Sequence, residues 1–187
     1  MYLHIFKIGW IVFWVYWLVS AFGAKPTARR NHGIWGFRIL ILLFLAVVLI
    51  MGGGSLNSVF LGSAALSDNI IGSTIALILF LIGLGLAVWA RVYLGRNWGM
   101  PASLKENPEL VTTGPYRFVR NPIYSGILLA MFATALIASN AWFIAFILFG
   151  IYFICASRAE EKIMATAFPD TYPAYRARTK MLIPFVW

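Results

Sequence analysis

The sequence predicts an all-α membrane protein with about five transmembrane helices, the last two forming a helical hairpin followed by a cytoplasmic helical segment. Three observations carry that expectation. Of 187 residues, 61% are hydrophobic and only 11% are charged, whereas an ordinary soluble domain carries about 25% charged residues. The apolar residues gather into runs of membrane-spanning length, and the basic residues gather between alternate runs. A net charge of +9 would suit nucleic acid, but such a surface must be solvated, and too few polar residues are present to cover one. Nucleic acid is therefore excluded as a partner, and the lipid bilayer is the expected one.

A spanning helix takes about 20 mostly apolar residues. Residues 3–22 form the first such run. Ala21-Phe22-Gly23 has the small residues of a signal cleavage site, yet no basic stretch precedes the run and Lys25, Arg29 and Arg30 follow it, which fits a retained helix starting outside. Residues 37–56 and 70–90 are the second and third spans. Residues 123–157 are one apolar run of 35, too long for a single span, and Ser139-Asn140 near its middle supplies turn chemistry, so 123–139 and 140–157 are read as a tight hairpin. The whole chain, 1–187, reads as one integral-membrane domain, with N-terminal spans in 1–82 and a second part in 83–187.

Orientation follows from charge. With the N-terminus outside, the 24–38 loop, the 91–122 loop and the tail after 157 lie in the cytoplasm and hold 14 of the 15 Lys and Arg residues, all but Lys7. The external 57–69 loop and the 139–140 turn carry only Asp68. This is the positive-inside pattern, and it accounts for the basic balance. In a bacterial cell the membrane would be the inner one. No ionisable residue falls at the middle of a span, which argues against an ion channel or a proton-coupled transporter. The single cysteine, Cys155, allows no intrachain disulfide, and no Cys/His spacing suggests a metal site.

The polar chemistry concentrates in residues 91–122 and 158–184. Asn121-Pro122 starts the fourth helix, since Asn favours the N-cap and Pro the first helical position. That helix N-terminus, with Arg117 and Arg120 just before it, also suits an anionic group; the arginines equally suit lipid phosphates. Tyr116 and Tyr124 are either interfacial aromatics or a stacking surface for a flat ring. Adjacent Glu160 and Glu161 run against the positive-inside trend and call for a cationic partner, either Arg158, Lys162 or a loop arginine, or a cationic ligand. Gly83 and Gly85 permit close approach of a neighbouring helix or of a ligand.

Taken together, "GPYRFVRNPIYSG" at 114–126, "EE" 33 residues further on and "FPDTYPAYRARTKMLIP" at 168–184 resemble the integral-membrane methyltransferases grouped with isoprenylcysteine carboxyl methyltransferase and the phospholipid N-methyltransferases. "YLGRNWG" at 93–99 and "ELVTTG" at 109–114 fit the same family, so the resemblance covers roughly residues 83–185. It implies S-adenosylmethionine as methyl donor, held on the cytoplasmic side of the last helices. The family's Arg-His-Pro-x-Tyr-x-Gly motif falls on Arg120, Pro122, Tyr124 and Gly126, with Asn121 where the family has histidine. Its acidic pair falls on Glu160 and Glu161, and its Gly-x-Gly on Gly83 and Gly85. Leu110, Val111, Gly114, Tyr116 and Arg117 join the implied donor site, and Glu160, Glu161 and Arg120 are the implied catalytic groups. Asn121 hydrogen-bonds but does not titrate, so no histidine base is expected at the motif.

The donor's own chemistry agrees. A sulfonium, an ammonium, a carboxylate and an adenine ask for a π-rich or negative wall, a carboxylate, an arginine or helix N-terminus, and an aromatic slot. Its acceptor is expected to be lipophilic, a lipid headgroup amine or a prenylcysteine-type carboxylate. Two other classes stand beside this expectation: a membrane NADPH-dependent reductase of the sterol type, and a non-enzymatic protein that binds a partner or lipid through its basic loops. A phosphate-rich cofactor would favour a larger basic cluster than one flanked by Glu160-Glu161.

Overall fold

The computed structural model describes residues 2–30, 66, 69–99, 103–138 and 140–184. The predicted 37–56 span, Asp68 and Ser139 lie outside the described residues. The described helices are α1 (Tyr2–Ala21), α2 (Ile70–Leu94), α3 (Pro122–Ile137), α4 (Asn140–Ala167) and α5 (Tyr172–Arg178). Tyr2–Ala21, Ile70–Asn97 and Ala141–Ala167 are each long and apolar enough to cross a membrane. Asn69 caps α2 with its side-chain oxygen, which accepts from the amides of Ile71 and Gly72 at 2.9 and 3.2 Å.

The helix directions follow from which residues meet. Phe6 stacks on Phe80 at 4.2 Å, Tyr2 bonds Thr74, and Arg91 reaches the Ser20 carbonyl, so α1 and α2 run parallel. α2 and α3 run antiparallel and pack backbone to backbone: a Cβ on Gly83 would lie 2.6 Å from the Ala130 nitrogen, and one on Gly126 would lie 2.5 Å from the Gly83 carbonyl oxygen. The predicted hairpin is present as antiparallel α3 and α4, with Phe132 against Phe146 at 5.5 Å and Tyr124 against Phe153 at 4.4 Å.

Three expectations need correcting. α4 does not stop at residue 157 but continues to Ala167, because Ala, Glu, Lys and Met in 158–167 are good helix formers whatever their polarity. Glu160 and Glu161 therefore sit on the helix rather than after it. α3, at 16 residues, spans only about 24 Å at 1.5 Å per residue, short of the hydrocarbon core's roughly 30 Å. Most of it is buried among other helices, so packing rather than lipid sets its length. The chain is also not wholly α: β1 (Thr27–Arg30) and β2 (Ser103–Lys105) pair antiparallel, Thr27 opposite Lys105 and Arg30 opposite Ser103. Both segments lie at the same end of the bundle, where their backbone groups satisfy one another.

Candidate active site

At that end, the chain from 114 to 121 packs on the end of α2 and is held by the tail. Gly114 takes φ +58°, a left-handed turn that glycine adopts without steric cost, and its face lies against the Tyr93 ring. Pro115–Arg117 continue as a short 3-10 turn that buries Pro115 and Tyr116. The tail then pairs with the motif: the amide of Arg120 donates to Lys180 O at 2.8 Å and that of Asn121 to Met181 O at 3.2 Å. Asn121 occupies the N-cap position of α3, but its side chain caps nothing. Its Nδ2 donates instead to Met181 O at 3.1 Å, and Ser125 Oγ donates to Leu182 O at 2.5 Å.

Arg120 is the hub. Its Nε donates to Glu161 Oε1 at 2.8 Å and its Nη2 lies 2.6 Å from the same oxygen, while Nη1 donates to the carbonyls of Arg176 and Thr179. The two side chains are only 10% and 8% exposed, so the pair is close to fully desolvated. Arg176, more exposed, stands 3.4 Å from the other Glu161 oxygen. One turn of neighbours away, the Tyr124 hydroxyl donates to Glu160 Oε1 at 2.6 Å, and the Tyr124 ring is fixed by its stack on Phe153. The Tyr175 hydroxyl donates to the Tyr116 carbonyl at 2.8 Å.

These groups border a cavity of about 610 Å³, within the roughly 300–1,000 Å³ of small-molecule sites. Of the residues expected at the donor site, Leu110, Val111, Tyr116 and Arg120 line it, as do Asn121, Tyr124, Glu160 and Glu161. The others stand apart. Gly83 and Gly126 lie at the α2–α3 crossing, and Gly85 faces open space. Gly114 packs on Tyr93, Pro122 is buried at the start of α3, and Arg117 lies over the Phe118 ring at 4.9 Å.

The cavity also has walls the sequence did not announce. Trp14 and Trp17 come from α1, Trp98 from the turn after α2, Phe149 from α4, and Tyr172 and Tyr175 from the tail helix. A signal for the tail was present in "DTYPAYRAR", whose Tyr172 and Tyr175 are buried on one side of α5. Burial pushes the Tyr172 hydroxyl up to about 12, with the Glu161 carboxylate adding to the rise. Burial likewise pushes the hydroxyls of Tyr116 and Tyr175 up, so both stay neutral donors at ordinary pH.

At the rim, Glu109 and Asn97 meet Lys25 from the loop after α1. Lys25 Nζ lies 2.9 Å from Glu109 Oε1 and donates to Asn97 Oδ1 at 3.0 Å. The Lys25 hydrogen bond holds the Glu109 carboxyl below its usual range. Among the described residues, then, three carboxylates and one guanidinium border the cavity, and the rest of its lining is largely aromatic and aliphatic. Glu109 is paired with Lys25, and Glu161 with Arg120 and Arg176.

Comparisons with known proteins bear on the family. The sequence model of the phospholipid methyltransferase family matches residues 71–171. The nickel-cobalt-cadmium resistance protein NccN of Alcaligenes xylosoxydans xylosoxydans is 25% identical over 158 residues, 83% of this chain and 65% of that protein. Methanethiol S-methyltransferase 1 of Bradyrhizobium diazoefficiens is 33% identical over 78 residues, 42% of this chain and 27% of that enzyme. The protein-S-isoprenylcysteine O-methyltransferase of Schizosaccharomyces pombe is 29% identical over 103 residues, 52% of this chain and 43% of that enzyme. The chain thus spans just under two thirds of the length of the resistance protein.

Proposed function

The chain belongs to the phospholipid methyltransferase family, and on that premise we propose that it carries a methyl group from S-adenosylmethionine to a lipophilic acceptor at the cytoplasmic face of a membrane. The observation that carries this reading is the cavity itself. It joins a carboxylate end, Glu160 and Glu161, to aromatic walls within one space, which suits a donor that is cationic at one end and flat at the other.

Bound there, S-adenosylmethionine supplies an activated methyl group on a sulfonium centre. Glu160, oriented by Tyr124, would hold the donor's ammonium group. The amides of Ile123 and Tyr124, which the Asn121 side chain does not cap, would face its carboxylate. Arg120 keeps its fork on Glu161 and the tail carbonyls, so its part is to hold Glu161 and to close the tail over the site. Gly83, Gly85, Gly114, Arg117, Pro122 and Gly126 serve by shaping and anchoring the segments that carry those groups. Methyl transfer is an in-line displacement, so alignment and exclusion of water do most of the work. An amine acceptor gives up its proton to Glu160 or Glu161; a carboxylate acceptor needs no base.

The reading extends to the membrane. Five spans fit the parallel α1–α2 pair and the joining of the 24–30 and 103–105 segments at one end of the bundle; the N-terminus outside and the C-terminus cytoplasmic rest on the distribution of basic residues. An NADPH-dependent reductase would need cationic groups for phosphates, and three carboxylates beside one guanidinium argue against it. The test is incubation with labelled donor and a total lipid extract, followed by extraction into organic solvent. Label in the organic phase is expected; label only in water-soluble products would show that the acceptor is not a lipid.

A further inference from the structure

Trp14 and Trp17 line the cavity from α1, which lies outside the 71–171 region shared with the family. Trp14 is 49% exposed on the same helix face that presents Ile11, Val15 and Leu18, so it borders both the cavity and the bilayer. Trp17 meets Trp98, also a cavity wall, edge to face at 5.8 Å and stacks on Phe13 at 5.1 Å. Among the described residues, the cavity's carboxylates come from elsewhere, Glu160 and Glu161 from α4 and Glu109 from the rim.

Behind the wall stands Arg91. It is only 4% exposed, and its guanidinium lies 4.7 Å over the Trp98 ring. Nη1 donates to Gly95 O at 2.7 Å and Nη2 to Ser20 O at 2.5 Å, while Nε has no partner among the described residues. Ser20 Oγ in turn donates to Trp17 O at 2.9 Å. A buried guanidinium held by carbonyls and an indole face is a costly arrangement, and here it fixes both tryptophans that Arg91 can reach, Trp98 through its ring and Trp17 through the end of α1.

We propose that Trp14 and Trp17 form the acceptor-binding wall of the cavity, selecting an uncharged apolar segment of the acceptor, and that Arg91 is a positioning residue that sets the wall without touching a ligand. This rests on the methyltransferase reading. The donor, which is water-soluble and charged, takes the carboxylate end; the wall that borders lipid and carries only indole and alkyl surface takes the acceptor's oily part. Because α1 stands outside the shared region, acceptor choice can change there without disturbing the donor's contacts.

The experiment compares wild type with Trp14→Ala, Trp17→Leu and Arg91→Met in lipid nanodiscs. S-adenosylhomocysteine binding reports the donor side. Methyl transfer to N-acetyl-S-farnesylcysteine, phosphatidylethanolamine and dodecanethiol reports the acceptor side. For the best of these acceptors, each variant is expected to raise KM fivefold or more with kcat changed less than twofold and S-adenosylhomocysteine affinity within twofold of wild type. Trp14 is half-exposed, so its variant folds even if Trp17→Leu does not. Loss of S-adenosylhomocysteine affinity in step with acceptor KM would assign the wall to the donor and overturn the proposal. So would an unchanged acceptor KM in Trp14→Ala, or a wild type that binds S-adenosylhomocysteine yet transfers to none of the three acceptors. A wild type that does not bind S-adenosylhomocysteine sinks the methyltransferase reading itself.

Discussion

The crossing of α2 and α3 and the junction of α3, α4 and the tail share one short stretch of chain, residues 120–126, and they are built on opposite principles. At the crossing, Gly83 and Gly126 bring two backbones together with no polar side chain between them. At the junction, Arg120, Glu161, Tyr124 and Glu160 meet through hydrogen bonds of 2.6–2.8 Å. The difference shows how one motif divides its labour: its small residues bring α3 close enough to α2 to fix where Asn121 and Tyr124 stand, and its polar residues then face the cavity.

Breaking the junction should cost most. Glu161→Ala leaves the Arg120 guanidinium buried without its carboxylate, and removing one partner of a buried pair costs about 3–5 kcal/mol. Denaturant unfolding in detergent measures it, and a loss below about 1 kcal/mol would place the pair among ordinary surface bridges.

Next comes donor affinity. Glu160→Gln removes a charge from the position Tyr124 holds, and a hydrogen bond to a charged group is worth about 1.5–3 kcal/mol. Calorimetric binding of S-adenosylhomocysteine should weaken accordingly, whereas Arg117→Ala, at a residue over the Phe118 ring and away from the cavity, should leave affinity unchanged. Equal losses in both variants would dissolve the distinction between cavity-facing and anchoring residues.

The crossing offers a sharper contrast within one Gly-x-Gly. Gly83→Ala places a methyl 2.6 Å from the Ala130 nitrogen and should destabilise by about 1–3 kcal/mol, as overpacking does. Gly85→Ala meets nothing within 4 Å and should be neutral or mildly stabilising, since alanine favours helix by up to about 1 kcal/mol. Similar effects on unfolding from both would show that the crossing does not discriminate between them.

The smallest effect is alkaline. Tyr172 stays protonated in the folded chain up to about 12, against about 10 when unfolded. Its contribution is therefore fully present below pH 10 and is lost as the pH rises through about 12. Tyr172→Phe should flatten that part of the stability profile; an unaltered slope would assign it to other groups.

Much of this was legible in the sequence. The apolar runs foretold α1, α2 and the α3–α4 hairpin because bilayer thickness fixes how many apolar residues a span needs. Arg120, Glu160 and Glu161 were visible because charge beside an apolar run demands a partner, and Tyr124 through the motif that resembles the family's. The end of α4 was missed because polarity marks where lipid ends, not where helix ends: 158–167 leave the apolar run but keep helix-forming residues. The α1 wall was missed because a tryptophan on an apolar helix has the same sequence signature whether it meets lipid, a neighbouring helix or a cavity. Asn121 looked like a cap, yet its side chain serves the tail, a partner 60 residues away that local spacing cannot reveal.

The most direct test is whether the purified protein distinguishes S-adenosylhomocysteine from NADPH by thermal stability in detergent. A ligand that binds only the folded state stabilises it by about 2.7 kcal/mol at a hundred times its Kd. S-adenosylhomocysteine should raise the unfolding temperature in a concentration-dependent way, NADPH should not, and Glu160→Gln should shrink the rise. Stabilisation by NADPH with none from S-adenosylhomocysteine would contradict the assignment of the cavity to a methyl donor.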